Sequence, residues 1–307
     1  MNCFTERIIL PKDRPCRILL VHTILANLNT APDAAAKLER LLERTEPDFL
    51  LLNGDITAEM TDTDTLAACL RVLLAPVTAR NLPWAHTFGD KDRINALDGE
   101  EQLAVYRQIP GCITTAGEED FSGCGNYVIP FCHGKTDMPA FLLWCMDTHD
   151  HVEKYQRDFG SPTRARLANP LYTQYYNDGI RFNQTMWYHR TARELEKTCG
   201  RKIPGIMCFH IPTPEHSLIP MNQYRTGMRG IFAEEVSCQT VNGGIFSAVF
   251  EHRDVQAVFC GNSRHNDFSG TYGGITLAQT ASFRDTGKAA LLMVDPEAEQ
   301  ICTWYTV

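Results

Sequence analysis

Residues able to hold cations and move protons gather where apolar runs of this chain stop. Phe49-Leu50-Leu51-Leu52 runs into Asn53-Gly54-Asp55, Trp84 to Phe88 leads into Gly89-Asp90-Lys91-Asp92, and Gly205 to Phe209 ends at His210. A fourth run, Val258-Phe259-Cys260, opens onto Gly261-Asn262-Ser263-Arg264-His265-Asn266-Asp267. Carboxylate oxygens and imidazoles are the donors that hold divalent ions, and an imidazole can also protonate a leaving group. The Lys91 ammonium and the Arg264 guanidinium suit phosphate, because a positive pocket binds an anion without any chemistry. Other chemistries lack support. No Gly-x-Ser-x-Gly elbow occurs, Gly123-Cys124-Gly125-Asn126 follows no strand-to-helix pattern, and no Cys-x-x-Cys pair suggests zinc.

The elements that must carry these loops are legible from periodicity. Apolar runs at Ile18 to Val21, Phe49 to Leu52 and Trp84 to Phe88 alternate with helical patterns, which predicts βαβ units and a largely parallel sheet. Thr30-Ala31-Pro32-Asp33 opens one helix with Leu38, Leu41 and Leu42 on a common face; Leu66, Leu70, Leu73 and Leu74 mark a second. Strands are expected at Tyr127 to Phe131 and Phe141 to Met146, and a helix at about Gln184 to Lys197. Short runs at Gly205 to Phe209, Val255 to Cys260, Gly274 to Leu277, Ala289 to Val294 and Ile301 to Tyr305 predict an antiparallel tail, their connections being read as too short for helical crossovers. Ligands of open α/β sheets collect at the carboxyl ends of strands, where these polar loops converge.

Composition narrows the function classes. The 307 residues are 44% hydrophobic and 21% charged with a net charge of −8, so the chain reads as one compact domain over 1–307 with an inserted helical, aromatic-rich segment at about 150–200. Acidic residues spread along the chain argue against a nucleic-acid surface, and a phosphate ligand would need a local basic pocket. Met1 to Pro15 lacks an apolar signal core and no stretch reaches the ~20 apolar residues of a membrane span, so no membrane partner and a cytoplasmic location are expected. The 12 cysteines lie mostly in apolar runs, where a thiol behaves as a small hydrophobe.

The order and spacing of these loops, with Gly125-Asn126-Tyr127, Met146-Asp147-Thr148, Asn183-Gln184 before Trp187-Tyr188, and Asn242-Gly243-Gly244-Ile245-Phe246, resemble the calcineurin-like metallophosphoesterases, most closely the intracellular branch related to purple acid phosphatases. The matches run from about Arg17 to Val294. This resemblance implies the metallo-dependent phosphatase fold: an α/β (α+β) two-sheet β-sandwich flanked by helices, with its site at one edge. In that family two divalent ions share a bridging carboxylate and activate a water that attacks phosphorus.

Carried over position by position, the resemblance also predicts a damaged centre. The family's first-strand Asp-x-His motif falls on Thr23-Ile24-Leu25, so the first ion keeps only Asp55, the match to the bridging carboxylate, and faces Arg264. The second keeps Asp55, Asp90 and His210, with Asn262 as a weak fourth donor. Lys91 stands where the proton-donating histidine would be. The expectation is at most one divalent ion (Mn, Fe, Zn or Mg), or none, with Lys91, Arg264 and His265 forming a residual anion-binding cleft for a small phosphorylated or other anionic ligand. The best reading is an impaired pseudo-phosphatase. The alternative is a mononuclear metal-dependent phosphoric ester hydrolase working through Asp55, Asp90 and His210. His22 and His265, each one residue from a ligand position, read as ordinary hydrogen-bonded histidines, and a partner-binding face at Tyr172 to Tyr188 ranks last.

Overall fold

The computed structural model describes residues 6–134, 138–150, 177–298 and 302–307. Two β-sheets pack face to face with helices outside them. A five-stranded sheet has the order β13-β12-β2-β3-β4 and an eight-stranded sheet the order β1-β5-β6-β7-β9-β11-β10-β8. The smaller sheet comprises β2 (Cys16–Val21), β3 (Phe49–Asn53), β4 (Trp84–Thr87), β12 (Ala290–Val294) and β13 (Cys302–Thr306). The larger comprises β1 (Ile8–Leu10), β5 (Tyr127–His133), β6 (Pro139–Cys145), β7 (Gly205–Cys208), β8 (Arg229–Ile231), β9 (Val255–Cys260), β10 (Asp267–Tyr272) and β11 (Ile275–Gln279).

Phe49 to Asn53 is buried throughout, as expected for a parallel strand covered on both faces. Its neighbours are reached through helices α1 (Ala31–Thr45) and α2 (Thr63–Leu73). The first starts with proline in its opening turn and buries Leu38, Leu41 and Leu42; the second is capped by Asp62, whose side chain accepts from the Thr65 amide. Between the sheets lies a core of Ile18, Leu20, Phe49, Leu51, Phe131, Phe141 and Phe259. A second core sits under α1 and α2, and a third, around Trp144, Tyr188 and Phe209, under the helix Phe182–Cys199. That helix starts two residues before and ends two residues after the range read from spacing. The aromatic positions Tyr172, Tyr175 and Tyr176 lie outside the described residues.

The C-terminal third differs from expectation. Strand β7 pairs in parallel with β6 and β9, and β9 with β11; within this third of the described chain the antiparallel pairs are β10–β11, β10–β8, β12–β13 and β12–β2. The chain between β7 and β9 is long enough for a crossover because it contains helices at Pro214–Met221 and Ile245–His252 that the apolar-run reading passed over. Between β9 and β11 the intervening element is β10, which pairs on the far edge of β11 and so lets its neighbours run parallel.

Burial keeps three histidines outside the Asp55 loops neutral. His22, His86 and His216 are fully enclosed, and burial pushes them down to about 4, 3 and 4, so the folded chain keeps them neutral where the unfolded chain is protonated. Their stabilising effect is complete above pH 6.5 and is lost as pH falls toward those folded values. Asp92, which burial and the Asp55 charge raise to about 7, works in the opposite direction. Each histidine contributes about 1 kcal/mol over this first unit of titration, and Asp92 with the raised His210 returns part of it, so the net cost between pH 6.5 and 5.5 should be about 1–2 kcal/mol. Urea unfolding midpoints at those two pH values check this, and an unchanged midpoint contradicts the burial of these rings.

Candidate metal and anion site

The polar loops meet at one edge of the sandwich because Asn53, the last residue of β3, ties the two sheets together. Its amide donates to the Phe209 and Phe259 carbonyls of the larger sheet at 3.0 and 3.4 Å, and its oxygen accepts from Thr87 of the smaller one. Glycine then permits close approach. A Cβ on Gly54, whose φ is +85°, would lie 2.5 Å from His210 Nδ1, and one on Gly261 would lie 2.7 Å from His22 Nδ1. Four residues with side chains adopt left-handed backbone in the same loops: Thr23 (φ 53°), Leu25 (51°), Asp55 (57°) and Asn262 (55°). Such a conformation costs a β-branched residue like Thr23 most, and persists only where surroundings enforce it. Backbone bonds do so here: Thr23 N donates to Gly54 O at 3.0 Å, and the Ile24 and Leu25 amides both donate to Asp55 O at 2.8 and 2.9 Å.

Asp55, Asp90 and His210 converge, all buried, with their candidate ligand atoms within 4.8 Å of one another. His210 Nε2 lies 3.2 Å from Asp55 Oδ2 and 3.6 Å from Asp90 Oδ1. The ring is oriented by Nδ1, which lies 2.9 Å from the Asn53 carbonyl and leaves Nε2 facing the carboxylates. Both His210 Nε2 and Asp90 Oδ1 are buried without a hydrogen-bond partner. Two carboxylates and one imidazole aimed at a common point, with unsatisfied lone pairs, fit a single divalent ion. Among the described residues no second group of three such donors exists.

Burial pushes the His210 imidazole down, but the Asp55 and Asp90 carboxylates outweigh it and carry it up to about 9. Burial likewise opposes ionisation of Asp55, yet His210 and the Lys91 amide hold its carboxyl below the usual range. Without a metal ion, the imidazolium supplies the positive charge the carboxylates require. Lys91 supplies the rest: its Nζ sits 2.6 Å from Asp90 Oδ2, and its amide donates to Asp55 Oδ1 at 2.9 Å. Asp92, to which sequence reasoning gave no role, fixes this loop by accepting from the Ile56, Thr57 and Gly89 amides at 2.9, 3.0 and 2.9 Å.

The remaining sequence-chosen residues are dispersed around this centre. Asn262 turns its amide nitrogen to the Ser237 carbonyl at 3.0 Å. Arg264 is exposed, and its charge reaches Lys91 strongly enough to oppose the upward pull of the carboxylates on the ammonium. His265 is also exposed and faces Glu234, with Nδ1 3.4 Å from Oε2. Glu234 holds the whole loop by accepting from Ser263 Oγ, Arg264 N and His265 N. It carries no motif, and nothing in the sequence would have singled it out. His22 is buried with Nδ1 2.8 Å from Thr23 Oγ1 and Nε2 2.5 Å from the Thr280 carbonyl, the ordinary hydrogen-bonded role expected of it. Thr23 therefore spends its hydroxyl on His22, and Leu25 lines a separate small cavity with Asn27, Lys37 and Phe283.

No family model matches the chain. It is 26% identical over 253 residues to "Probable inactive purple acid phosphatase 14" of Arabidopsis thaliana, an alignment covering 78% of this chain and 59% of that protein. It is 24% identical over 250 residues to "Phosphatase DCR2" of Saccharomyces cerevisiae, covering 77% of this chain and 39% of that one. The chain thus spans less than two thirds of these relatives. Among solved structures, a dimetal phosphatase from Danio rerio superposes with a TM-score of 0.60 at 11% identity, covering 96% of this chain and 99% of the other. No helix among the described residues is long and apolar enough to cross a membrane.

Proposed function

From a chain that has the calcineurin-like metallophosphoesterase fold and counts purple acid phosphatases among its relatives, we propose a phosphatase-fold protein that has lost two-metal hydrolysis. It holds at most one divalent ion, on Asp55, Asp90 and His210, and presents Lys91 and Arg264 to a small phosphorylated or other anionic ligand. The observation that carries this reading is the ion pair between Lys91 and Asp90 at 2.6 Å, a fixed protein cation at the centre of the loops.

An ion bound there would neutralise phosphate charge and polarise a phosphoryl oxygen. The chain's own groups do less. His210 is aimed by Asn53, and Asp55 is held by the Lys91 amide. Burial lowers the Lys91 ammonium, but Asp90 outweighs burial and raises it above its ordinary value, which makes it a poor proton donor to a leaving group near neutral pH. Thr23 and Leu25 are committed elsewhere, and the described residues offer no second group of three donors for another ion.

Elemental analysis of protein purified without chelator, paired with an aryl-phosphate assay in added manganese and phosphate titration calorimetry, tests the reading. At most one ion per chain, no turnover above background, and phosphate binding lost in Lys91→Ala are expected. Turnover abolished by Asp90→Ala would favour the mononuclear hydrolase, and two stoichiometric ions would overturn both readings.

A further inference from the structure

The two sheets differ in width, and the difference leaves a groove unrelated to the loops around Asp55. Trp304 of β13 packs edge-on against Phe259 of β9 at 5.3 Å, and Thr306 donates to the Asp267 carboxylate of β10 at 2.9 and 3.1 Å. The last strand of the five-stranded sheet therefore lies over β9 and β10. Beyond it the larger sheet continues to β8, with Ser269 paired across to Ala278 on one side and to Arg229 on the other. This row shares one face, because partners in register point the same way. Its inner end is core and its outer end has no sheet opposite it. The resulting groove measures about 400 Å³ and falls in the size range of small-molecule sites.

Its lining is asymmetric. Ala278, Ala290 and the Trp304 ring give an apolar floor and wall, while Arg229 and Ser269 stand at the mouth. The Arg229 guanidinium and the Trp304 indole N–H have no side-chain hydrogen bond or ion pair among the described residues. Asp267, the acidic group of the same rim, accepts from Thr306 and makes no ion pair with Arg229 among the described residues, so the guanidinium is free to take an anion. A flat apolar body seated on the indole with an anionic group at the guanidinium satisfies both ends, and a neutral or cationic body satisfies only one.

We propose that this groove binds a small aromatic carboxylate, ring against Trp304 and acid group at Arg229. The probe is 2-naphthoate, with neutral 2-naphthamide as its control, titrated by calorimetry into the full chain. Naphthoate should bind, Arg229→Ala should weaken it at least tenfold while changing naphthamide by less than twofold, and Ser269→Phe should block both probes. Saturating inorganic phosphate should leave naphthoate binding unchanged. Absence of binding at millimolar naphthoate, or binding indifferent to Arg229→Ala and Ser269→Phe in variants whose circular dichroism matches the parent, overturns the proposal. Competition by phosphate would do the same by moving the probe to the Lys91 cleft.

Discussion

Asp147→Ala is expected to lower folding stability by about 3–5 kcal/mol, because it strands a buried cation. Asp147 is fully enclosed in the loop just after β6, ion-paired with Arg93, and accepts the Cys124 and His149 amides at 2.8 and 3.0 Å. Truncation leaves the guanidinium, only 14% exposed and already carrying an unpartnered Nε, without its counter-charge. It also orphans two backbone donors. Arg93 follows Lys91 by two residues, so the pair anchors the loop that presents Asp90. A thermal melt should show Tm falling on the order of 10 °C, with Asp147→Asn intermediate because the amide oxygen can still accept the backbone bonds. A loss under 1 kcal/mol would mean that Arg93 finds another partner and that the loop is held elsewhere.

Manganese affinity should move in opposite directions at neighbouring positions. Asp90→Asn and His210→Ala each remove a donor from a set of three and should weaken binding more than a hundredfold. Lys91→Met should strengthen it by about tenfold. The ammonium competes with the ion for Asp90, and a unit charge about 4 Å away is worth at most ~4 kcal/mol near a surface, reduced here because the lysine side chain is 44% exposed. Calorimetric titration of metal-free protein reads all three variants. Lys91→Met binding manganese no better than the parent would show that the ammonium swings aside without cost, and the idea of a resident competing cation would fail.

How far the sequence disclosed this arrangement depended on the kind of signal. The meeting of Asp55, Asp90, Lys91 and His210 was legible because each follows a buried apolar strand in a short loop, and strand ends fix where such side chains go. The parallel pairing of β7, β9 and β11 was hidden, since Ile245–His252 is a short helix and β10 ends in Gly-Thr-Tyr, a weakly patterned edge. Asn262 and His265 looked like site residues by spacing alone. Spacing cannot report that Asn262 turns to the Ser237 carbonyl or that His265 faces Glu234, because both outcomes depend on a segment about 30 residues away with no motif of its own. The roles of Asn53, Asp92 and Asp147 as struts were equally silent: they donate to or accept from backbone groups, and any polar residue of that size reads the same in a sequence.

The left-handed backbone at Thr23, Leu25, Asp55 and Asn262 separates two things that usually change together, the shape of a site and the side chains it displays. That shape is enforced by amide-to-carbonyl bonds such as Thr23 N to Gly54 O and Leu25 N to Asp55 O, which do not depend on which side chains occupy positions 23 and 25. A change of side chain at positions 23 and 25 is therefore a matter of a few codons rather than of refolding, and the loops keep their shape whichever residues they display.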